Sequence, residues 1–160
     1  MTQTNSTLAI WTRLTALPFG KWLFTRLVCF KAPYFASILP RFEDLRAGSC
    51  TVTMKKRRRV HNHICTVHAI AMCNMAELAA GTMTDATTPA THRWIPKGMT
   101  VEYLKKAATD LRAVAVFASP PAFDGAALDA AVNVTVTDTA NVTVFRAVIT
   151  MRISPRKAVS

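Results

Sequence analysis

The chain has 160 residues, 51% hydrophobic and 18% charged, a balance that excludes a disordered chain and a length that fits one domain with its own core. Twenty Lys and Arg against nine Asp and Glu leave a formal charge of +11, which invites an anionic partner: nucleic acid, an anionic membrane surface or a phosphate-rich small molecule. Lys31, Arg41, Glu77 and Arg112 break the apolar stretches before any reaches the roughly 18 residues of a spanning helix, so no transmembrane segment is expected. The first residues lack the basic region and small-residue cleavage site of a secretory signal, which makes a cytoplasmic location the default expectation. Cys29, Cys50, Cys65 and Cys73 form no C-x-x-C pair, and a chain of this size needs no disulfide staples.

Residues 8–39 are apolar with scattered cations. Trp11, Leu14, Leu17 and Phe19 predict a first amphipathic helix stopping near Pro18 and Gly20. Trp22, Leu23, Leu27 and Phe30 predict a second, ended by Pro33. Residues 1–40 therefore read as a helical arm that lies on the rest. Residues 42–60 read as strand, turn, strand, with Gly48-Ser49 at the turn. Beyond it Cys50, Val52 and Met54 alternate with Thr51, Thr53 and Lys55, and the basic run Lys55–Arg59 extends the second strand. Residues 66–82 predict the long helix of the chain, with Thr66 as cap and Gly81 as stop. It is apolar almost all round and so should be buried. Strands then follow one another: Met99 to Tyr103, Ala113 to Ala118, Ala131 to Thr137, and Val142 to Ile153, the last two joined at Asp138–Asn141 as a hairpin. Contiguous strands beside one buried helix give an α+β fold built on an antiparallel sheet. The domain plan is an arm at 1–40, a sheet-and-helix domain at 41–155 and a tail at 156–160.

Glu77 is the single charged residue of the predicted helix, set among Met72, Met75, Ala76, Leu78 and Ala79. A carboxylate placed there costs free energy unless it is paired or has a task, and desolvation suits it to general acid–base work. Asn74 shares its face, with Ile70 near the helix start, where unpaired N–H groups can bind an oxyanion. His61, Asn62, His63 and His68 crowd just upstream. Their spacing matches no standard zinc pattern, so no metal is expected.

Asn62, His68 six residues on and Glu77 nine after that resemble the signature of the hotdog-fold thioesterases, the phenylacetate-pathway branch in particular. There an Asn, a His-Gly-Gly and a helix acid build the site, and an antiparallel sheet wraps one central helix. Trp22-Leu23-Phe24, Ala32-Pro33-Tyr34-Phe35, Arg57 to Ala69, Asn74 to Gly81 and His92 to Gly98 are similar to the pattern of a bacterial group in that superfamily of mostly unassigned function. The resemblance covers residues 18–155. It implies an acyl-thioester hydrolase without a separate cofactor, coenzyme A being part of the substrate. Glu77 would be the general base or nucleophile. The Ile70 N–H, with Ala69 beside it, would polarise the carbonyl. Asn62 would position water or substrate, and His68 would support the turn. It also implies a homodimer, with a tetramer compatible, in which Glu77 of one chain faces Asn62 and the helix start of the other. Three positions depart from the pattern: the Gly-Gly is Ala69-Ile70, Cys65 stands where Gly is common, and the acid is Glu.

Arg57, Arg58 and Arg59, joined by Arg93 and Lys97 around Trp94, are the expected grip on the coenzyme A phosphates, with the Trp94 indole free to stack on the adenine. Nucleic acid is the weaker reading of the charge, because the strands lack the interleaved aromatics of a stacking platform. A non-catalytic acyl-thioester binding protein is the alternative to a hydrolase, favoured by Ala69-Ile70.

Overall fold

In a computed structural model of the chain, residues 6–156 are described. Residues 1–5 of the predicted arm and 157–160 of the predicted tail lie outside them. Two helices open the chain, α1 at Ser6–Thr15 and α2 at Gly20–Lys31, followed by a 3-10 turn at Pro33–Ile38. The strands are β1 at Arg41–Arg46, β2 at Ser49–Met54, β3 at His92–Tyr103, β4 at Leu111–Phe117, β5 at Leu128–Thr137 and β6 at Thr143–Pro155. The long helix α3, Ala69–Thr87, falls between β2 and β3.

All six strands join one antiparallel sheet in the order β1-β2-β4-β5-β6-β3. Every strand contacts α3, so the sheet wraps the helix. This is the hotdog fold, as the α+β reading and the resemblance expected. Period-two alternation decides which side chains face inward. Val52 and Met54, Ala113 and Ala115, Val132, Val134 and Val136, and Phe145, Ile149 and Met151 are all buried. They meet Met72, Met75, Ala76, Ala79 and Met83 of the helix in one core. Each large side chain removed from water here contributes about 1.5–3 kcal/mol.

Three elements differ most from their predicted bounds. The helix starts at His68, whose Nδ1 accepts the Ile70 N–H at 3.1 Å as the cap, because the Thr66 hydroxyl is already held by Asn62 Nδ2 at 2.8 Å. It also runs through Gly81 to Thr87. That glycine is room for Trp94: a Cβ there would stand 3.0 Å from Cη2 of the indole. The basic run does not extend β2, which ends at Met54; the Lys56 N–H turns to Asp110 Oδ1 at 2.8 Å and Arg58–Val60 forms a 3-10 turn. Finally, β3 begins at His92 and carries Pro96 within it, which an edge strand with a bulge between Pro96 and Gly98 accommodates.

The arm packs against β1, the sheet edge opposite β3, and against α3. Trp11, Phe24 and Phe42 form an edge-to-face chain with centroids 5.0 and 5.1 Å apart. The Phe42 N–H donates to Thr25 Oγ1 at 3.2 Å, and Lys21 Nζ donates to the Glu43 carbonyl at 2.6 Å. Thr7 Oγ1 donates to Asp85 Oδ2 of α3.

Candidate active site

Helix α3 is not buried all round. Ile70, Cys73 and Glu77 recur at helical spacing on its least covered face. Glu77 is half-buried and lines a cavity of about 210 Å³ with Pro96, Lys97, Gly98 and Met99 of β3 and Ile149 of β6. Among the described residues, no hydrogen bond or ion pair reaches its carboxylate. The β3 bulge sits at this cavity, where it re-aims the strand beside the acid.

The rest of the β3 edge is open. Met99, Val101 and Tyr103 pair with Ile149, Ala147 and Phe145, whose side chains are buried, so both sets point to the helix side of the sheet. Yet Met99 is 40% and Tyr103 50% exposed. The inward face of the edge strand therefore lacks a cover. At its far end the Tyr103 hydroxyl and Cys73 Sγ share a hydrogen bond at 3.3 Å. That bond, helped by burial, pushes the Tyr103 phenol up to about 12.

The upstream residues build the approach to the helix. Asn62 Oδ1 accepts the Ile64 and Thr66 N–H groups at 3.1 and 3.0 Å. With the Thr66 contact, its side-chain bonds fold the 62–66 turn. Cys65 in that turn adopts φ 59°, the left-handed region that favours glycine. Cys65 adopts this conformation under strain. The His68 N–H donates to the Val60 carbonyl at 2.8 Å, and its ring caps the helix. The Ile70 N–H expected at a substrate oxyanion is thus engaged by His68, and the Ile70 side chain is 55% exposed. Among the described residues the Ala69 N–H donates to nothing in the chain.

The expected phosphate grip divides in two. Arg57, Arg58 and Arg59 are exposed, and no ion pair reaches them among the described residues. Lys97 is held by Asp129 Oδ2 at 2.7 Å, and Arg152 completes that cluster at 3.1 Å. These two cations hold the Asp129 carboxyl below the usual carboxylate range. The Arg93 Nε–H reaches Ser154 Oγ at 3.5 Å. The Trp94 indole, expected beside the cations, is half-buried. It packs on Gly81, and its Nε1–H donates to Asp85 Oδ1 at 3.0 Å. Among the described residues no three His, Cys, Asp or Glu side chains come together to hold a metal.

The Cys73–Tyr103 contact along the same open edge is not foreseen in the sequence. Cys73 lies one turn before Glu77, which was the available signal, but an uncharged residue there reads as core.

The fold and the half-buried helix acid place the molecule among hotdog-fold proteins. The chain belongs to the DUF4442 family, a domain of unknown function whose model matches residues 20–153. Similar structures include a structural-genomics protein 48% identical to it, with a TM-score of 0.81 over 94% of this chain and 99% of that one. A Pseudomonas aeruginosa protein of unknown function, described as a probable thioesterase, is 21% identical with a TM-score of 0.76, covering 88% and 97%. A hypothetical thioesterase from Streptococcus pneumoniae, solved with coenzyme A, is 14% identical with a TM-score of 0.67, covering 81% and 99%. The latter two share the fold. No curated protein matches.

Proposed function

We propose that the chain is a thioesterase that hydrolyses an acyl-coenzyme A or a related acyl thioester, with Glu77 as general base. The observation that carries this reading is the half-buried Glu77 carboxylate, unpartnered among the described residues, at the head of a cavity beside the β3 bulge. Glu77 takes a proton from water as the water oxygen bonds to the thioester carbonyl carbon. The carbonyl becomes an oxyanion. Its collapse breaks the carbon–sulfur bond, and Glu77 returns the proton to the departing thiolate, leaving a free acid and a thiol.

The oxyanion is received at the first turn of α3 by the Ala69 N–H, joined by the Ile70 N–H as the His68 ring releases it. Seven residues separate Ile70 from Glu77, about 10 Å along the axis. One chain's acid cannot therefore reach a carbonyl held at its own helix start. A second copy, pairing at the open β3 edge, would bring its helix start and Asn62 turn toward Glu77. The reading is accordingly of a homodimer, with a tetramer compatible. Arg57, Arg58 and Arg59, exposed and without an ion pair among the described residues, supply the cations for the coenzyme A phosphates, whereas Lys97 is already held by Asp129.

The test is thiol release from a panel of acyl-coenzyme A substrates, wild type beside Glu77→Gln. A second reading, a non-catalytic acyl-thioester binding protein, is favoured by the engaged Ile70 N–H and the exposed Ile70 side chain at the oxyanion position. It gives saturable ligand binding without thiol release.

A further inference from the structure

The outward face of the arm is apolar where a surface helix should be polar. Phe24, Thr25 and Cys29 turn α2 inward toward β1. Its other side carries two adjoining rows, Trp22–Arg26–Phe30 and Leu23–Leu27–Lys31, at four-residue spacing. Trp22 is 61% and Phe30 88% exposed, and Phe19, at the corner before the helix, is 85% exposed. A chain that buries Trp11, Phe24 and Phe42 in the same arm contact has left these aromatics outside.

The charge around this face is net positive: the cleft that Phe19, Trp22 and Arg26 share with the sheet holds Lys21, Arg41, Lys55, Arg57 and Arg112 against Glu43, Asp110 and Asp138. Arg13, Arg26 and Lys31 are exposed, and no Asp or Glu precedes Glu43 in the sequence. A second copy docking through the same face would bring one net positive surface against another. An anionic lipid surface meets both features: aromatic and aliphatic side chains enter the headgroup boundary, and Arg and Lys reach the phosphates from the helix flanks. Among the described residues no helix is long and apolar enough to cross a membrane, so the contact is one of lying on the surface. The arm packs on the β1 edge, opposite the β3 edge of the catalytic cleft, so both can be engaged together.

We propose that this face of the arm, Phe19, Trp22, Leu23, Leu27 and Phe30 with Arg26 and Lys31 among them, docks the protein on an anionic phospholipid surface. The probe is cosedimentation of the full chain with vesicles of phosphatidylcholine alone and of a phosphatidylcholine–phosphatidylglycerol mixture, with Trp22 emission read in parallel. Binding to the mixture, weak binding to phosphatidylcholine alone, loss at high salt and a blue shift that Trp22→Phe removes are expected. Trp22→Ala with Phe30→Ala, and separately Arg26→Glu with Lys31→Glu, should each weaken partitioning about tenfold or more. Both pairs are exposed, and circular dichroism checks that the fold is kept. No binding to the mixture overturns the proposal, as does unchanged binding by both double variants. So does a wild-type oligomer that the double variants dissociate without any vesicle binding, which would make a second copy the occupant.

Discussion

Gly20→Ala should release the arm from the domain. Gly20 opens α2 directly after the corner, with its N–H on the Leu17 carbonyl at 3.1 Å and the Leu17 N–H on the Leu14 carbonyl at 2.9 Å. A Cβ on Gly20 would overlap the Leu14 carbonyl group and stand 3.0 Å from the Thr15 nitrogen. All of these are backbone atoms at the end of α1, so no side chain can swing aside. The corner must open, and α1 lifts away with it. What is lost is the burial of Trp11, its edge contact with Phe24 at 5.0 Å, the packing of Leu8 and Leu14 on the core, and the Thr7–Asp85 bond. Truncating one buried aromatic costs about 3–5 kcal/mol, and this change sacrifices a comparable contact. For a chain of this length that lowers the melting temperature by about 10 °C. Thermal unfolding by circular dichroism measures it, and intrinsic fluorescence should shift red as Trp11 meets water. Gly98→Ala, whose Cβ meets nothing within 4 Å, is the neutral control. A Gly20→Ala protein melting within about 2 °C of wild type, with unshifted emission, would refute the reasoning.

Three further outcomes follow from individual contacts. Cys73→Ala should bring the Tyr103 phenol down from about 12 toward its ordinary range near 10 in a spectrophotometric titration. Because the folded pKa is the raised one, the stability this pair contributes is intact below about 10 and lost as pH rises through about 12; the loss should be smaller in Cys73→Ala. An unmoved phenol would remove Cys73 as the cause. A thiol-alkylating reagent at neutral pH should label exposed Cys65 in the native protein, whereas Cys50, whose thiol burial pushes far up with Asp44 adding, should label only on unfolding. Equal labelling rates would contradict the burial. Asn62→Ala should cost about 1–2 kcal/mol in urea unfolding, since its side chain folds the 62–66 turn, and Asn62→Asp, which keeps both acceptor bonds, should recover most of it. A stable Asn62→Ala would show that the turn does not need those bonds.

The sequence exposes whatever is local and periodic. The α3 core face, the β5–β6 hairpin and the β1–β2 turn at Gly48 all follow from spacing and turn chemistry. The misread positions are those decided by distant partners. Gly81 reads as a stop because its role is to admit Trp94, thirteen residues on. Thr66 reads as a cap because nothing local shows its hydroxyl taken by Asn62. Pro96 hides the first half of β3, since a single sequence does not reveal which strand will be the edge. At the site, Glu77 is legible as a lone carboxylate on an apolar helix. The Lys97–Asp129 pair is not, because 32 residues separate its members, and neither is the Cys73–Tyr103 bond across 30.

The most direct test of the account is thiol release from acyl-coenzyme A substrates by wild type and Glu77→Gln. Glutamine keeps the size and loses the base, so the account predicts measurable wild-type turnover that falls at least about a hundredfold in the variant while its melting temperature stays within a few degrees. Equal turnover by a folded Glu77→Gln protein, or none from any substrate by folded wild type, would contradict the assignment of Glu77 as the base of a thioesterase.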